Sequence, residues 1–176
     1  MTGFRIEVEV LSDHSDVGTV QAARDLLGEY LTFVQSLSLG FGTARLEEEI
    51  ANLPHSYAAQ GGELLLAHVG DEPAGCVGYR SLAFRGLPDA CQMKRMYVRP
   101  AFQGAGVGGA LGEAVLERAR GVGHRRMYLD TEPHAMASAY RLYRRLGFEE
   151  CAPPFPASEV GVRFLMREVG EDGERI

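Results

Sequence analysis

The order of apolar and polar positions divides the chain into strands and helices, with no internal repeat and no linker. Residues 4–10 alternate between apolar and charged side chains, a pattern that predicts a half-buried strand. Apolar residues then recur at helical spacing over 17–34, and a second, shorter helix is predicted over 43–53. Three apolar segments joined by glycine-containing turns follow within residues 63–98, and they predict an antiparallel meander of three strands.

After residue 98 the order of the elements changes. A glycine-rich loop leads into a helix with Val107 and Leu111 on its apolar face, and a strand follows at 125–130. A strand, a helix and a second strand in this order predict two parallel strands joined by a right-handed crossover. Another helix and two closing strands complete an α/β fold with a mixed sheet and the order β-α-α-β-β-β-α-β-α-β-β.

Length and charge limit the classes of protein to which this chain can belong. Its 176 residues suffice for a sizeable core, so we expect a single domain over 1–176, with residues 170–176 as a frayed tail. A net charge of -6 and a single lysine, Lys94, argue against a nucleic-acid partner. The acidity suits a cationic amine substrate, but it is equally ordinary for a soluble protein.

The sequence contains no targeting or membrane signal and no metal motif. The N-terminal segment lacks a basic region followed by an apolar run, and no apolar stretch approaches the ~20 residues of a membrane helix. We therefore expect a cytoplasmic protein with no membrane partner. Cys76, Cys91 and Cys151 form no C-x-x-C pair and lie among apolar neighbours, so we expect buried, unreactive thiols and no metal.

The glycine-rich loop fits more than one phosphate-binding motif, and its context separates them. Residues 104–109 match G-x-G-x-x-G, but a gap separates them from the strand end at Val98, and a meander precedes them instead of repeated β-α units. Asp130, at the end of the next strand, is the one feature that favours a dinucleotide. A P-loop is excluded because its lysine is missing. Glycine N–H groups at a helix N-terminus still suit a pyrophosphate, the alternative being a plain loop before a helix.

Two motifs at a characteristic distance resemble a known family. Gln103–Gly108 fits Q/R-x-x-G-x-G/A after a strand, and Ala139–Phe148 fits A-x-x-L-Y-x-x-x-G-F. Together they resemble the GCN5-related N-acetyltransferase (GNAT) superfamily, and MKRMYVRPAFQG with LDTEPHAMASAYRLYRRLGF resembles its subgroup of generic bacterial acetyltransferases. The motifs cover about residues 90–150, whereas the order of elements agrees over nearly the whole chain. The resemblance implies a GNAT-like mixed central sheet in which splayed parallel strands form a slot for CoA.

In this family the slot holds acetyl-CoA, which serves as a co-substrate. The resemblance implies that backbone groups of Met96 and Val98 pair with the pantetheine arm, in effect a strand added to a sheet edge. It also implies that N–H groups of the 103–109 loop hold the pyrophosphate, while the side chains of Val107 and Leu111 face the core. The implied cofactor-binding residues are Met96, Tyr97, Val98, Gln103, Gly104, Ala105, Gly106, Val107, Gly108, Gly109 and Tyr143.

The same resemblance implies two catalytic positions. Tyr143 matches the tyrosine that often protonates the departing CoA thiolate, although Tyr140 lies one turn earlier and competes for that role. Gln92 stands where many members carry a glutamate as general base, and an amide cannot accept the proton of an amine near neutral pH. Gln92 can still orient a water molecule or the substrate, with Glu132 or His134 as the base. If the missing carboxylate limits the reaction, Gln92→Glu should raise turnover.

Further positions on the central strand and the first helices bear on the acceptor. Strict alternation places Lys94 on one face of the strand and Arg95 on the other. One of them reaches a substrate carboxylate, or they pair with internal acids, and the sequence leaves this choice open. The resemblance places the acceptor beside the first two helices and nearby loops, here with Tyr30, Phe33 and Tyr57, each equally consistent with a structural role.

The predicted function is an N-acetyltransferase that moves an acetyl group from acetyl-CoA to an amine by direct attack in a ternary complex. The amine belongs to a small molecule or to a protein, and the sequence does not name it. A non-catalytic acyl-CoA-binding regulator or sensor of the same fold is the alternative, which Gln92 supports, and an interaction module with an empty loop is a third. Family members are often dimers, so a homodimer is one expected assembly.

Overall fold

The computed structural model describes residues 4–38, 43–156 and 160–170, which form one mixed seven-stranded sheet with helices on both faces. The strands are β1 (Ile6–Val10), β2 (Glu63–Val69), β3 (Glu72–Leu82), β4 (Leu87–Val98), β5 (Arg126–Thr131), β6 (Glu149–Cys151) and β7 (Arg163–Glu168). The helices are α1 (Val17–Ser36), α2 (Thr43–Ala51), α3 (His55–Ala58), α4 (Val107–Gly121) and α5 (Ala137–Arg145). Short 3-10 turns follow β3 and β4, at Ala83–Arg85 and Pro100–Phe102.

The strands lie in the order β1-β2-β3-β4-β5-β7-β6, and β4 and β5 are the one parallel pair within the described ranges. β1 to β4 form an antiparallel meander, and β7 enters between β5 and β6 and pairs antiparallel with both. The predicted mixed α/β sheet and its parallel pair are therefore confirmed. The predicted order of elements holds except for α3, a short helix in a segment that was predicted to be a loop.

Two apolar cores lie on opposite faces of the sheet. α4 and α5 pack on one face, where the apolar stripe of α4 buries Val107, Leu111 and Val115. α1 and α2 pack on the other face through residues at helical spacing, among them Leu27 and Leu46. Because the stripe of α4 faces the sheet, the expectation that Val107 and Leu111 point into the core is confirmed.

Two glycines of α4 make room for α5. A Cβ atom on Gly108 would lie 2.9 Å from Cδ2 of Leu142, and a Cβ atom on Gly112 would overlap the side chain of Leu146. A larger residue at either position would require these leucine side chains to shift, so the two glycines let α4 and α5 pack closely. The second half of the glycine-rich segment therefore serves helix packing, and this packing places Tyr143 on the same side of the sheet as α4.

Strand β4 contains a β-bulge at Arg95. The register with β3 shifts from the pair Gly78↔Lys94 to the pair Cys76↔Tyr97, so two residues of β4 oppose one residue of β3. Arg95 has a φ of 61°, a left-handed conformation that costs a non-glycine residue roughly 1–3 kcal/mol. Something in the surrounding structure must offset this strain.

The bulge makes the expectation of strict alternation along β4 wrong. Lys94 and Arg95, which alternation would send to opposite faces, both reach the carboxylate of Glu49 on α2. Met93 and Met96, which alternation would also separate, both belong to the core beneath α4. One extra residue in the strand therefore changes the face of every side chain that follows it.

Strand β4 separates from β5 close to the bulge. The parallel pairing joins Ala90, Cys91 and Gln92 to the start of β5 and goes no further. From residue 93 to residue 98, β4 has no strand partner among the described residues on the side that faces β5. The predicted splay of the two parallel strands is confirmed, and it leaves an opening at their carboxyl ends.

No helix within the described residues is long and apolar enough to cross a membrane. Most of the predicted frayed tail, residues 171–176, lies outside the described residues. The single domain over 1–176 stays a prediction.

Candidate active site

The opening between β4 and β5 contains a small cavity of about 70 Å³. Its walls come from α1, β4, the end of β5 and α5, and they consist of Tyr30, Met93, Lys94, Arg95, Met96, Leu129, Asp130, Met136 and Tyr143. Asp130 supplies the single carboxylate of this lining. A wall that combines apolar and charged side chains beside an unpaired strand edge suits an extended ligand that carries amide groups.

The glycine-rich loop lies just beyond the carboxyl end of β4. Gly104 and Gly106 have φ values of 80° and 88°, which glycine adopts without the steric cost of a side chain. Five N–H groups have no protein acceptor in the described part of the chain, those of Gly104, Gly106, Val107, Gly108 and Gly109. Unpaired N–H groups at the positive end of a helix form a site for an anion.

Two contacts hold this loop against the end of β4. Gln103 donates from Nε2 to the carbonyl oxygen of Val98 at 3.2 Å, so its side chain has a structural bond. Arg99 pairs with Glu29 of α1, with 2.7 Å between Nη2 and Oε1, and it donates to the carbonyl of Pro73. The conformation of the loop is therefore supported by contacts within the protein.

Gln92 is buried and hydrogen-bonded at both ends of its side-chain amide. Oε1 accepts two hydrogen bonds from Arg80, from Nε at 3.0 Å and from Nη2 at 2.9 Å. Nε2 donates to Oδ1 of Asp130 at 2.9 Å. An amide suits this position because it accepts from the cation and donates to the carboxylate. A glutamate at position 92 would set a second carboxylate against Asp130, so we no longer expect Gln92→Glu to raise turnover.

A buried ion cluster fixes the bulged part of β4. Oε1 of Glu49 lies 2.6 Å from Nζ of Lys94, and Oε2 lies 3.1 Å from Nε of Arg95. The hydroxyl of Tyr57 donates to the same carboxylate, which is 3% exposed. Burial alone would raise the pKa of Glu49, but the two cations outweigh burial and hold the pKa below its ordinary value. Of the two partners that the sequence left open for Lys94 and Arg95, a substrate carboxylate or an internal acid, the structure shows the internal acid Glu49. Tyr57, which donates to the same carboxylate, has a structural role.

Lys94 and Arg95 share one carboxylate, and their pKa values move in opposite directions. Burial and the charge of Arg95 lower the pKa of Lys94 to about 8, although Glu49 opposes the shift. For Arg95 burial also lowers the pKa, but Glu49 outweighs burial and raises it. Both side chains are therefore protonated at neutral pH. Because Glu49 neutralises only one of the two charges, the cluster keeps one positive charge.

Tyr143 and its competitor Tyr140 occupy different environments. Tyr143 is buried and lines the cavity, where burial, and to a smaller extent Tyr30 and Asp130, raise its pKa. Its hydroxyl therefore keeps its proton at neutral pH. Tyr140 is not part of the cavity wall, and its hydroxyl donates to Oε1 of Glu150 at 2.7 Å. The geometry favours Tyr143 as the residue that can donate a proton in the cavity.

The two bases suggested by the sequence do not line the cavity. Glu132 accepts a hydrogen bond from the N–H of Ala135 in the turn after β5, and His134 is exposed. Asp130 lies in the cavity wall instead, and its Oδ2 has no protein partner within the described ranges. The sequence carries a signal for this, because Asp130 ends a strand predicted to run parallel to that of Gln92, although the pattern there connected Asp130 only with a dinucleotide.

Of the aromatic residues predicted near the acceptor or cofactor, Tyr30 reaches the cavity. The ring of Tyr97 packs on the α1 side, with ring centres 6.3 Å from Tyr30 and 6.5 Å from Phe33. Its hydroxyl bonds to Glu29 at 3.3 Å. The side chain of Tyr97 therefore contributes to packing, and only its backbone lies along the open edge of β4.

The cysteines supply no activated nucleophile. Cys76 and Cys91 are buried as expected, and burial raises the pKa of both thiols to about 12. Cys151 is half-buried, and its pKa is raised by the same cause. Among the described residues there is no group of three or more His, Cys, Asp or Glu side chains that could hold a metal ion.

Comparison with known sequences decides the family. The sequence pattern of the Acetyltransferase (GNAT) family matches residues 28–148, a span that contains both motifs and every residue of the cavity wall. An uncharacterised N-acetyltransferase of Schizosaccharomyces pombe is 31% identical over 146 residues, which cover 83% of this chain and 86% of that protein. The chain belongs to the GNAT family of acetyltransferases. The predicted family and the prediction of an acyltransferase enzyme are thereby confirmed.

Solved structures agree with the GNAT fold at low sequence identity. A GNAT family acetyltransferase from Staphylococcus aureus Mu50 has a TM-score of 0.71 and 18% identity, over 94% of this chain and 99% of that one. A GNAT family acetyltransferase from Elizabethkingia anophelis, crystallised with acetyl-CoA bound, has a TM-score of 0.61 and 20% identity, over 93% and 97%. At these identities the comparison establishes the fold of this GNAT protein.

We expect Glu49→Gln to lower the free energy of unfolding at neutral pH by about 3–5 kcal/mol, because it leaves Lys94 and Arg95 buried without a counter-charge. Folding lowers the pKa of Glu49, so its ionised carboxylate contributes fully to the free energy of unfolding above about pH 4.5. This contribution is lost as the pH falls through the folded-state pKa. Urea titrations at neutral and acid pH should therefore show a steeper acid loss for the wild type than for Glu49→Gln.

Glu48→Gln is the matched control, because Glu48 is the exposed neighbour of Glu49 on α2. It should change the free energy of unfolding by no more than about 0.5 kcal/mol. Equal urea midpoints for the two variants would contradict the anchoring role of Glu49.

Proposed function

We propose that this GNAT protein transfers an acetyl group from acetyl-CoA to the nitrogen of an amine in one direct step, with both substrates bound together. The observation that carries the proposal is the opening between β4 and β5, where an unpaired strand edge, a carboxylate and a protonated tyrosine meet. The Elizabethkingia protein, which has the same fold and was crystallised with acetyl-CoA, supports the choice of acyl donor.

The residues of the slot suit the chemistry of acetyl-CoA. The pantetheine arm carries amides, and the backbone of Met96 and Val98 lies on an edge with no strand partner on that side. The pyrophosphate is an anion, and the loop over 104–109 offers unpaired N–H donors at the positive end of α4. Gln103 holds the loop in place, and Val107 offers its N–H alone, because its side chain is part of the core.

The attacking amine must lose a proton as its nitrogen bonds to the thioester carbon, and we assign this proton to Asp130. Oδ1 of Asp130 is held by Gln92, and Oδ2 has no protein partner in the described part of the chain. Gln92 then acts as a positioning residue, not as the base. The argument for a non-catalytic sensor was the missing carboxylate at Gln92, and the carboxylate of Asp130 answers it.

The carbon–sulfur bond breaks as the acetyl group moves to nitrogen, and the CoA thiolate must gain a proton. Tyr143 is the proposed donor, because burial raises its pKa and it lines the same cavity as Asp130. A covalent route through a cysteine is disfavoured, since the pKa of the thiols of Cys76 and Cys91 is raised to about 12.

A cytoplasmic location stays a prediction. A homodimer and the lack of a nucleic-acid partner stay predictions.

Asp130→Asn should lower kcat by roughly 10²–10⁴-fold, the usual contribution of a general base, with little change in KM for acetyl-CoA. Part of the loss should return at higher pH, where more of the amine is already deprotonated. CoA release, measured with an acceptor found by screening a panel of amines, reports both parameters.

Glu132→Gln is the control for this variant, because it removes a nearby carboxylate that does not line the cavity. It should keep wild-type kcat. A wild-type rate for Asp130→Asn, or equal losses in the two variants, would rule out Asp130 as the base.

Tyr143→Phe should lower kcat by roughly 10²-fold or more, because it removes the proposed proton donor while the ring keeps its packing. Helix propensity hardly differs between the two residues, so stability should change little. Acetyl-CoA affinity should be retained, since backbone groups provide most of the proposed contacts.

Tyr140→Phe is the matched variant and should leave turnover nearly intact, because the hydroxyl of Tyr140 is bonded to Glu150 outside the cavity. If both variants lost activity equally, or if Tyr143→Phe were fully active, water would replace Tyr143 as the donor.

A further inference from the structure

A second and larger cleft adjoins the cavity through Arg80 and Gln92. It has a volume of about 870 Å³ and lies between α2, α3, the end of β3 and the turn Ala83–Arg85. Arg80 lines this cleft and donates to Gln92, which in turn bonds to Asp130. The guanidinium of Arg80 and the amide of Gln92 therefore connect the cleft to the proposed base.

Two arginines and two glutamates line this cleft, in a chain whose net charge is -6. Arg45 and Arg80 line it, whereas the carboxylate of Glu49 is already shared between two cations of β4. Glu48, the other carboxylate of the lining, is exposed and so is Arg45, which leaves the half-buried Arg80 as the unbalanced charge. The excess of positive charge favours an anionic ligand and disfavours a polyamine.

Arg80 is central to this charge and forms no salt bridge with a carboxylate of the described residues. Both of its hydrogen bonds go to the neutral amide of Gln92. Burial, and then the charges of Arg45, Arg85 and Arg95, lower the pKa of Arg80, and a nearby carboxylate opposes the shift only in part. A guanidinium with free N–H donors in such surroundings is suited to bind a carboxylate or phosphate.

Two other side chains of the cleft also point to a ligand. Ser56 is 9% exposed, and its buried Oγ has no hydrogen-bond partner within the described ranges. A buried hydroxyl without a partner is unfavourable, and a polar ligand would satisfy it. Phe84 is 61% exposed, and the guanidinium carbon of Arg80 lies 5.1 Å from its ring centre. An apolar surface therefore lies directly beside the cation.

We propose that the amine acceptor carries a carboxylate or phosphate group close to its nucleophilic nitrogen, and that Arg80 and Arg45 bind this anion. The inference rests on the proposed acetyl transfer and adds the chemical class of the acceptor. Arg80 and Asp130 bond to opposite ends of the amide of Gln92. An acceptor with its anion at Arg80 and its nitrogen at Asp130 must span the amide of Gln92 and the 2.9 Å hydrogen bond at each end of it, so a short chain separates the two groups, as in an amino acid or an aminoalkyl phosphate.

Binding at equilibrium tests this proposal independently of turnover. The full chain, saturated with CoA, is titrated by calorimetry with the proteinogenic amino acids, their amides, 2-aminoethyl phosphate, ethanolamine and 1,4-diaminobutane. We expect an anionic probe to bind about tenfold or more tightly than its uncharged counterpart, the effect of one charge-assisted hydrogen bond. Preference for amino acids over their amides identifies a carboxylate, and preference for 2-aminoethyl phosphate over ethanolamine identifies a phosphate.

Arginine variants locate the site of this preference. Arg45→Gln changes an exposed side chain and should weaken the anionic probe by about tenfold, with no effect on its uncharged counterpart or on CoA. Arg80→Gln should abolish the preference for the anion. Arg120→Gln, an exposed arginine near the end of α4, should change neither affinity.

Equal affinities for every anionic probe and its counterpart, or tighter binding of the diamine, would overturn the proposal even if acetyl-CoA binds and CoA is released. A preference for anions that persists in both Arg45→Gln and Arg80→Gln would also overturn it. Failure of acetyl-CoA to bind the wild type would instead overturn the proposed function, and this inference with it.

Discussion

One buried carboxylate, that of Glu49, holds two consecutive cations of the central strand, and the active site depends on this contact. A regular strand would send Lys94 and Arg95 to opposite faces, so both reach Glu49 only because β4 is bulged. The bulge strains the backbone of Arg95 by roughly 1–3 kcal/mol, and the ion pair with Glu49 helps to hold Arg95 in this conformation. The same bulge returns Met96 to the side of α4, close to the point where β4 leaves β5.

The separation of β4 from β5 produces a narrow cavity, and the amide of Gln92 connects Asp130 in its wall to Arg80 in the wall of a wider cleft. In many family members this position carries a carboxylate, which here would neutralise Arg80 and repel Asp130. The amide leaves the charge of Arg80 available to an anionic acceptor and that of Asp130 available to the proton of the amine. A single departure from the family pattern thus accounts both for the base that we propose and for the absence of a carboxylate on Arg80 among the described residues.

Much of the fold could be predicted, because apolar periodicity reports which face of a helix or strand is buried, as the stripe containing Leu111 illustrates. Short motifs located the glycine loop and Tyr143. The bulge at Arg95 could not be predicted, since nothing in an apolar pattern marks one extra residue. The role of Glu49 could not be predicted either. Glu49 lies in the run EEE of α2, 45 positions before Lys94 in the sequence, and only tertiary packing brings the two together. The proposed role of Asp130 follows from its hydrogen bond with the amide of Gln92, which the structure shows and the sequence does not.

Hydrogen exchange of the backbone amides, with and without acetyl-CoA, is the most direct test of the slot between β4 and β5. Saturating acetyl-CoA should slow exchange over residues 93–98 and 104–109, whose free N–H groups the ligand would engage, and leave β1 unchanged. In Gly106→Asp the added carboxylate opposes the pyrophosphate, so this protection should disappear. Gly70→Asp, another glycine with a positive φ of 60°, should retain it. Protection confined to the cleft between α2 and α3, or no protection at saturation, would contradict the account.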